Sequence, residues 1–479
     1  MNAAAPVAAP AKPRVIVLEF NELSPTLIQE FMQQGALPNF SRLYQQAQVY
    51  VTDAEEATAN LEPWIQWVTV HSGQSYDEHG VFHLGDGHKL KTKQVWDLLS
   101  DHGLKVWVCG SMNLRYDQPI KGAVLPDPWA AGIDPFPGKL FDAYFPFVQR
   151  NVQEYSNDRV PLTKRDYLRF GSFMASHGLS VRTASALVRQ LGQERLTRKG
   201  KWRRATMLDR LQFDVFRWYY QKERPDFSTF FLNSTAHLQH MHWRNMDPEP
   251  FKLKPSSDEQ REYQHAIRYG YQMMDQLVGQ FLDLAGPDVT VILMSALSQQ
   301  PCLRYEDAGG KTFYRPRMFE RVLEYAGVGL PYRVEPVMSE QFHVHFDSED
   351  AAREAALQLG SLTVDGQAAM LVKHEGASVF AGCRVFRQLD RDVLLDRVDG
   401  EPQAFFRLFY QVEGLKSGMH HPDGILWIRH PTRPHREHAS KVPLRDIAPT
   451  LLRTFGVTPP AYMTGRPVSF EATPAPAQV

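Results

Sequence analysis

The sequence predicts an α/β fold: a mainly parallel central sheet sandwiched by helices, carrying a helical cap inserted at 141–222 and a small α+β insertion at 331–395. Short apolar, β-branched runs at 15–18, 105–109, 228–232, 289–294 and 425–428 read as buried strands, and helical patterns fall between them. Helix punctuation follows several of the strands. At 479 residues and 43% hydrophobic, the chain is long enough for one large core with insertions.

The elements follow in chain order. Residues 1–13 are rich in Ala and Pro and read as a disordered tail, with the folded domain expected over 14–470 and a second tail at 471–479. After the first strand, Ser24 offers an N-cap, Pro25 the first helical residue and Gly35 a stop. A helix at 39–46 is expected to precede a polar loop, followed by a helix at 94–100. The stretch 141–222 is helix-like, aromatic and basic, whereas Phe342-His-Val-His-Phe346 alternates and precedes an Ala-rich helical pattern at 348–359. Residues 444–455 read as a helix closed by Gly456.

Charge excludes some functions. With 53 Lys and Arg against 54 Asp and Glu, net −1, no global basic field points to nucleic acid. One run, Arg195 to Arg204, is locally basic and carries Trp202; it reads as the solvated end of a helix, with a phosphate- or lipid-contacting edge as the alternative. Cys109, Cys302 and Cys383 lie far apart without metal-ligand spacing, so neither a disulfide framework nor a zinc knuckle is expected. The absence of a signal-peptide core and of any run of ~20 apolar residues predicts a cytoplasmic protein without a transmembrane segment. Oligomeric state is not encoded in any pattern here.

Five motifs that follow the first strand carry more information than the composition. The opening Leu18-Glu-Phe-Asn-Glu22 strand end is followed by Leu37-Pro38-Asn39. Next come Ser72-Gly73 and His79-Gly80, then Gly418-Met-His420, and finally Asp446-Ile-Ala-Pro-Thr-Leu-Leu452. In this order they resemble the alkaline phosphatase superfamily, and within it the type I phosphodiesterase/nucleotide pyrophosphatase and sulfatase-like branch. The resemblance covers about 14–128 and 224–467. It implies two divalent metals, usually zinc, held by three Asp, three His and a nucleophile, clamping the attacking and leaving oxygens of an in-line displacement.

Most of those ligand positions are altered. The first-strand Asp falls on Asn21, and the nucleophile on Pro63 or, shifted by one, Glu62. The Asp of the Asp-x-x-x-His motif falls on Ala236 while its His is His240. The late Ser-Asp-His-Gly reads Ser295-Ala-Leu-Ser298, and the final His is His420. Two dications ~4 Å apart repel by roughly 16 kcal/mol at an effective dielectric of ~20, and the missing carboxylates exist to offset that. A two-zinc site is therefore not expected, although a single divalent metal on Glu62, His240 and His420 would have the usual minimum of three protein ligands.

The pocket positions remain polar. Glu62, His240, His420 and Asn21 are the candidate catalytic residues: Glu62 as base or nucleophile, the histidines as acid or oxyanion stabilisers, and Asn21 as an orienting donor. Glu19, Gln66, Asn233, Ser234, Thr235 and His421 are the candidate substrate contacts. His79 reads as a loop buttress. The expected function is a divergent hydrolase or transferase acting on a small molecule or glycan that bears a phosphate or sulfate ester, through a metal-poor or metal-free site. A binding pseudoenzyme is one alternative, and an ordinary metal-dependent phosphodiesterase with misassigned ligands is the other.

Overall fold

A computed structural model of the chain describes residues 12–468 except 58, 131, 157–161, 338–340, 399 and 413–414. The two tails expected at 1–13 and 471–479 lie outside the described residues apart from 12 and 13. The central sheet contains β1 (Val15–Phe20), β2 (Gln48–Asp53), β3 (Val106–Cys109), β4 (Gly122–Leu125), β5 (Phe227–Leu232) and β6 (Thr290–Ser295). A short hairpin pairs β7 (Ser298–Pro301) with β8 (Gly418–His421), and β9 (Asp423–Arg429) returns to the sheet. Strand order is β4-β3-β5-β1-β6-β9-β2, with short strands Arg436–Glu437 and Val442–Pro443 beyond β2. All pairs from β4 to β6 are parallel, while β9 runs antiparallel to both β6 and β2.

Every residue of β1, β5 and β6 is buried, as a strand covered on both faces by helices requires. One large apolar cluster lies under α1 (Pro25–Gln33), α2 (Pro38–Tyr44) and the long helix Ala266–Ala285; a second lies under α3 (Pro63–Ser72) and the helix Ile447–Thr454. Ser24 caps α1 through the Leu27 N–H at 3.4 Å, with Pro25 next, as the sequence predicts. The Leu37-Pro38-Asn39 turn has a helix-capping role of its own: Asp275 Oδ1 accepts the N–H groups of Asn39 and Phe40 at 2.8 and 2.9 Å, which docks the start of α2 onto the long helix.

The polar loop expected after α2 is instead β2. Its inward residues are Gln48, Tyr50 and Thr52, so alternation is present but without the apolar signature. Two of them are satisfied by backbone carbonyls, Gln48 by Pro434 and Thr52 by Ser295, which lets polar side chains face the interior of an outer strand. In the 141–222 stretch lie the helices Phe145–Ser156, Lys164–Ser176, Val181–Thr197 and Ala205–Glu223. The 331–395 stretch holds a four-stranded antiparallel sheet with the helix Glu349–Gly360, and its apolar core draws in Tyr314, Phe319 and Phe409 from outside those bounds.

The loop after α3 is fixed by His79. Its Nδ1 accepts the Val81 N–H at 3.1 Å and its Nε2 lies 3.2 Å from Thr69 Oγ1, a pattern that only the neutral ring with its proton on Nε2 satisfies. Burial pushes its pKa down from 6.5 to about 4, against the raising effect of Glu78. The unfolded chain therefore takes up a proton that the folded chain refuses, and stability falls as pH drops through 6.5 toward 4. Thermal melts between about pH 7 and about pH 4.5 should show a smaller loss of melting temperature for His79→Gln than for the wild type; parallel curves would exclude His79 as a source of the acid sensitivity.

Candidate metal and catalytic site

The site grows from the end of β1, the strand between β5 and β6. Pairing persists one residue past the strand, with the Asn21 N–H donating to Leu232 O at 3.0 Å, and then Glu22 takes a left-handed conformation with φ of 60°. Such a φ is uncommon for a residue other than glycine and is held here from both sides. Gln239 Nε2 donates to the Glu22 carbonyl at 2.7 Å, and the next N–H, of Leu23, donates to Ser295 Oγ at 3.0 Å.

This turn aims a buried carboxylate at two imidazoles. Glu22 Oε2 lies 3.0 Å from His240 Nε2 and 3.4 Å from His420 Nε2, and also accepts from Gln299 Nε2. Glu22 Oε1 accepts from Asn21 Nδ2 at 2.9 Å. His240 rides on the helix Ser234–Met246 that follows β5, and His420 on β8. Each ring has a polar neighbour behind it: His240 Nδ1 sits 3.0 Å from Gly418 O, and His420 Nδ1 3.5 Å from Glu62 Oε2. The close approach depends on Gly418, where a Cβ would fall 2.4 Å from Gln299 Oε1 and 2.5 Å from the Gln239 carbonyl.

Electrostatics sorts the protons. Burial would raise the Glu22 pKa, but the two imidazoles outweigh it and hold the carboxyl well below the usual range. Burial and the Lys416 ammonium push His240 down to about 4 despite Glu22. His420 is buried too, yet Glu22 and Glu62 on its two sides raise it above 6.5. Glu62, half-buried at the N-cap of α3, is raised by burial, with His420 and Lys416 pulling the other way. At neutral pH the site thus holds an ionised Glu22, a neutral His240 and a His420 that keeps its proton most readily.

A divalent metal fits this donor set. The Glu22 carboxylate and one nitrogen from each of His240 and His420 lie within 4.8 Å of one another. Two imidazoles and a carboxylate are a common protein ligand set for catalytic zinc. The Nδ1 proton of His240 is committed to a backbone carbonyl, which leaves the Nε2 lone pair free to ligate, and Glu62 stands behind His420 as a carboxylate stands behind many zinc-bound histidines.

The structure redistributes the sequence candidates. Asn21, Glu62, His240 and His420 come together, with Asn233 beside them accepting from Asn21 Nδ2 at 2.7 Å. Glu62 does not join the converging triad; Glu22 occupies that place. Glu19 faces elsewhere: its oxygens are taken by His71 Nε2 at 2.9 Å and Ser111 Oγ at 2.7 Å. Gln66 is fully buried and donates to Asn60 O at 2.9 Å, bracing the entry to α3. Ser234 is hydrogen-bonded to Asp209, and Thr235 packs at Gly270 of the long helix. His421, one residue past His420 on β8, closes a turn by accepting the Asp423 N–H at 3.2 Å. Glu22 and Gln299 are the residues that sequence reasoning passed over. Strand alternation would send Glu22 to the face opposite Asn21, but alternation ceases to apply once β1 ends at Phe20.

The family model for type I phosphodiesterase/nucleotide pyrophosphatase matches residues 15–309. No curated protein shows a significant match. Among solved structures, phosphonoacetate hydrolase from Sinorhizobium meliloti 1021, in complex with phosphonoformate, is similar at 10% identity over 93% of this chain and 96% of that one, with a TM-score of 0.43. The same enzyme with phosphonoacetate aligns at 11% identity. A murine ectonucleotide pyrophosphatase/phosphodiesterase 5, inactive and in complex with AMP, aligns at 10% identity over the same shares with a TM-score of 0.40.

A metal ion held by this triad would compete with a proton for His420. Since His420 is protonated below its raised pKa, apparent zinc affinity should fall about tenfold for each pH unit below that value. Competition calorimetry with a chelator of known affinity, run at about pH 8 and about pH 6, measures it; an affinity independent of pH would place the metal elsewhere.

Proposed function

Because the chain belongs to the type I phosphodiesterase/nucleotide pyrophosphatase family, we propose that it hydrolyses a phosphorus ester of a small anionic molecule at the site built by Glu22, His240, His420 and Glu62. The observation that carries the reading is the convergence of one carboxylate and two imidazoles within 4.8 Å in a chain of this family. Glu22, His240 and His420 would hold one divalent ion. Such an ion supplies Lewis acidity toward a phosphoryl oxygen and acidifies a bound water.

Charge counting supports one ion over two. Glu22 and Glu62 together balance a single dication, whereas the positions that would neutralise a second are Asn21 and Ala236, which are neutral. The remaining roles belong to the chain's own groups. Asn21 and Gln299 fix the rotamer of Glu22 by donating to both of its oxygens. Asn21 is itself held by Trp67, whose Nε1–H donates to Asn21 Oδ1 at 2.8 Å. Glu62 stands at the start of α3 with its pKa raised by burial, suited to accept a proton from an attacking water and return it to the leaving oxygen. The ammonium groups of Lys416 and Lys311, which act on Glu62 electrostatically, favour an anionic substrate.

A second reading, a protein that binds such a ligand without turning it over, draws support from the hydrogen bonding of Glu22, each of whose oxygens accepts from a side-chain amide of the protein, Asn21 or Gln299. One experiment separates the two. Activity on bis(p-nitrophenyl) phosphate and on a p-nitrophenyl phosphonate ester, measured with added zinc or manganese, should be present in the wild type. Glu62→Gln should lower kcat by about a hundredfold or more with little change in KM. No turnover by a metal-loaded wild type on either ester class would leave the binding reading.

A further inference from the structure

The helix Val181–Thr197 is built inside out. Its buried residues are Thr183, Gln190 and Glu194, all polar, whereas Val181, Val188 and Leu196 are 86%, 72% and 87% exposed. The inner face is held by hydrogen bonds: Gln190 Nε2 donates to Glu194 Oε1 and to Gly200 O, both at 2.8 Å, and Arg204 Nε donates to Glu194 at 2.8 Å. An ordinary surface helix of a globular protein has the reverse polarity. Here the aliphatic side chains contribute nothing to the core.

The exposed side is ordered as well. At 3.6 residues per turn, Val181, Val188 and Leu196 fall within an arc of about 80°, with Arg182 and Arg189 along one border and Arg195 along the other. All three arginines are exposed. Residues 163–204 contain eleven Lys and Arg and only two carboxylates, Asp166 and Glu194, in a chain of net −1. The helix that precedes it in the chain, Lys164–Ser176, also exposes an apolar pair, Tyr167 and Leu168, between exposed Arg165 and Arg169. Among the described residues, no helix is long and apolar enough to cross a membrane.

We infer that the outer face of the Val181–Thr197 helix docks on an anionic lipid surface, the aliphatic row entering between headgroups whose phosphates pair with the flanking arginines. An exposed row of Val and Leu bordered on both sides by Arg is what an interfacial helix presents. Nucleic acid would use the charge and leave the aliphatic row idle. Trp202, the aromatic residue of the basic run, is not available for base stacking, since its Nε1–H donates to Glu262 at 3.1 Å and Arg203 covers its ring at 4.9 Å.

The test uses the full chain and two vesicle preparations, phosphatidylcholine alone and phosphatidylcholine with about a third phosphatidylglycerol. Sedimentation with the second and not the first is expected, weakening at high salt. The triple variant Val181→Gln, Val188→Gln, Leu196→Gln should lose about tenfold or more in partitioning while keeping the wild-type melting temperature and esterase activity. Arg182→Gln with Arg189→Gln should lose binding to a similar extent and remain folded. Absence of sedimentation with anionic vesicles would overturn the inference. So would partitioning unchanged in both variants, a dimer in light scattering that the triple variant dissolves, or tighter retention by DNA than by vesicles.

Discussion

The site depends on one carboxylate that the backbone presents against its own preference. Glu22 sits in the left-handed region, buried, at the carboxyl end of a central strand, where leaving an ion unpaired would cost several kcal/mol. Asn21, Gln299, His240 and His420 all converge on it, and Gln239 and Ser295 hold the backbone on either side. These partners come from the end of β1, the helix after β5, the end of β6, β7 and β8, so one anion ties together five elements around the site. Without that anion two half-buried imidazoles would face each other with nothing between them.

The same arrangement explains what the altered ligand positions do. In the stretch Ser295-Ala-Leu-Ser298, the Ser295 hydroxyl accepts from Leu23 and donates to Leu297 O at 2.7 Å, and Gln299 directly after it donates to Glu22. Asn21, standing where the family's first carboxylate falls, supports its neighbour. Asn21 is a neutral donor to Glu22, while Ala236 and Ala296, the other positions matched to family carboxylates by the resemblance, offer no side-chain donor.

The sheet and its helices were legible because their signals are local: fully buried strands read as apolar runs, and Ser24 and Pro25 announce α1. β2 was hidden because its inward residues, Gln48 and Thr52, are polar and satisfied by carbonyls contributed from far along the chain. His240 and His420 could be found by motif order. Glu22 could not, since its direction is set by one dihedral angle after the strand ends, and spacing carries no trace of that angle. Glu19 shows the same limit from the other side: alternation puts it near the pocket, but the partners that claim it, His71 and Ser111, come from 52 and 92 residues away.

The hairpin of β7 and β8 joins residues on either side of the entire small antiparallel domain, with Ser298 opposite His421 and Pro301 opposite Gly418. The domain therefore leaves and re-enters the main fold at a clamp that also carries Gln299 and His420. Closing a loop costs only the logarithm of its length, so once that clamp forms, lengthening or shortening the excursion between its ends adds little entropic cost. That latitude stops at the two ends of the excursion, where Lys311 and Lys416 pair with each other and act on Glu62, so a lineage can vary what lies between them only while it keeps that pair.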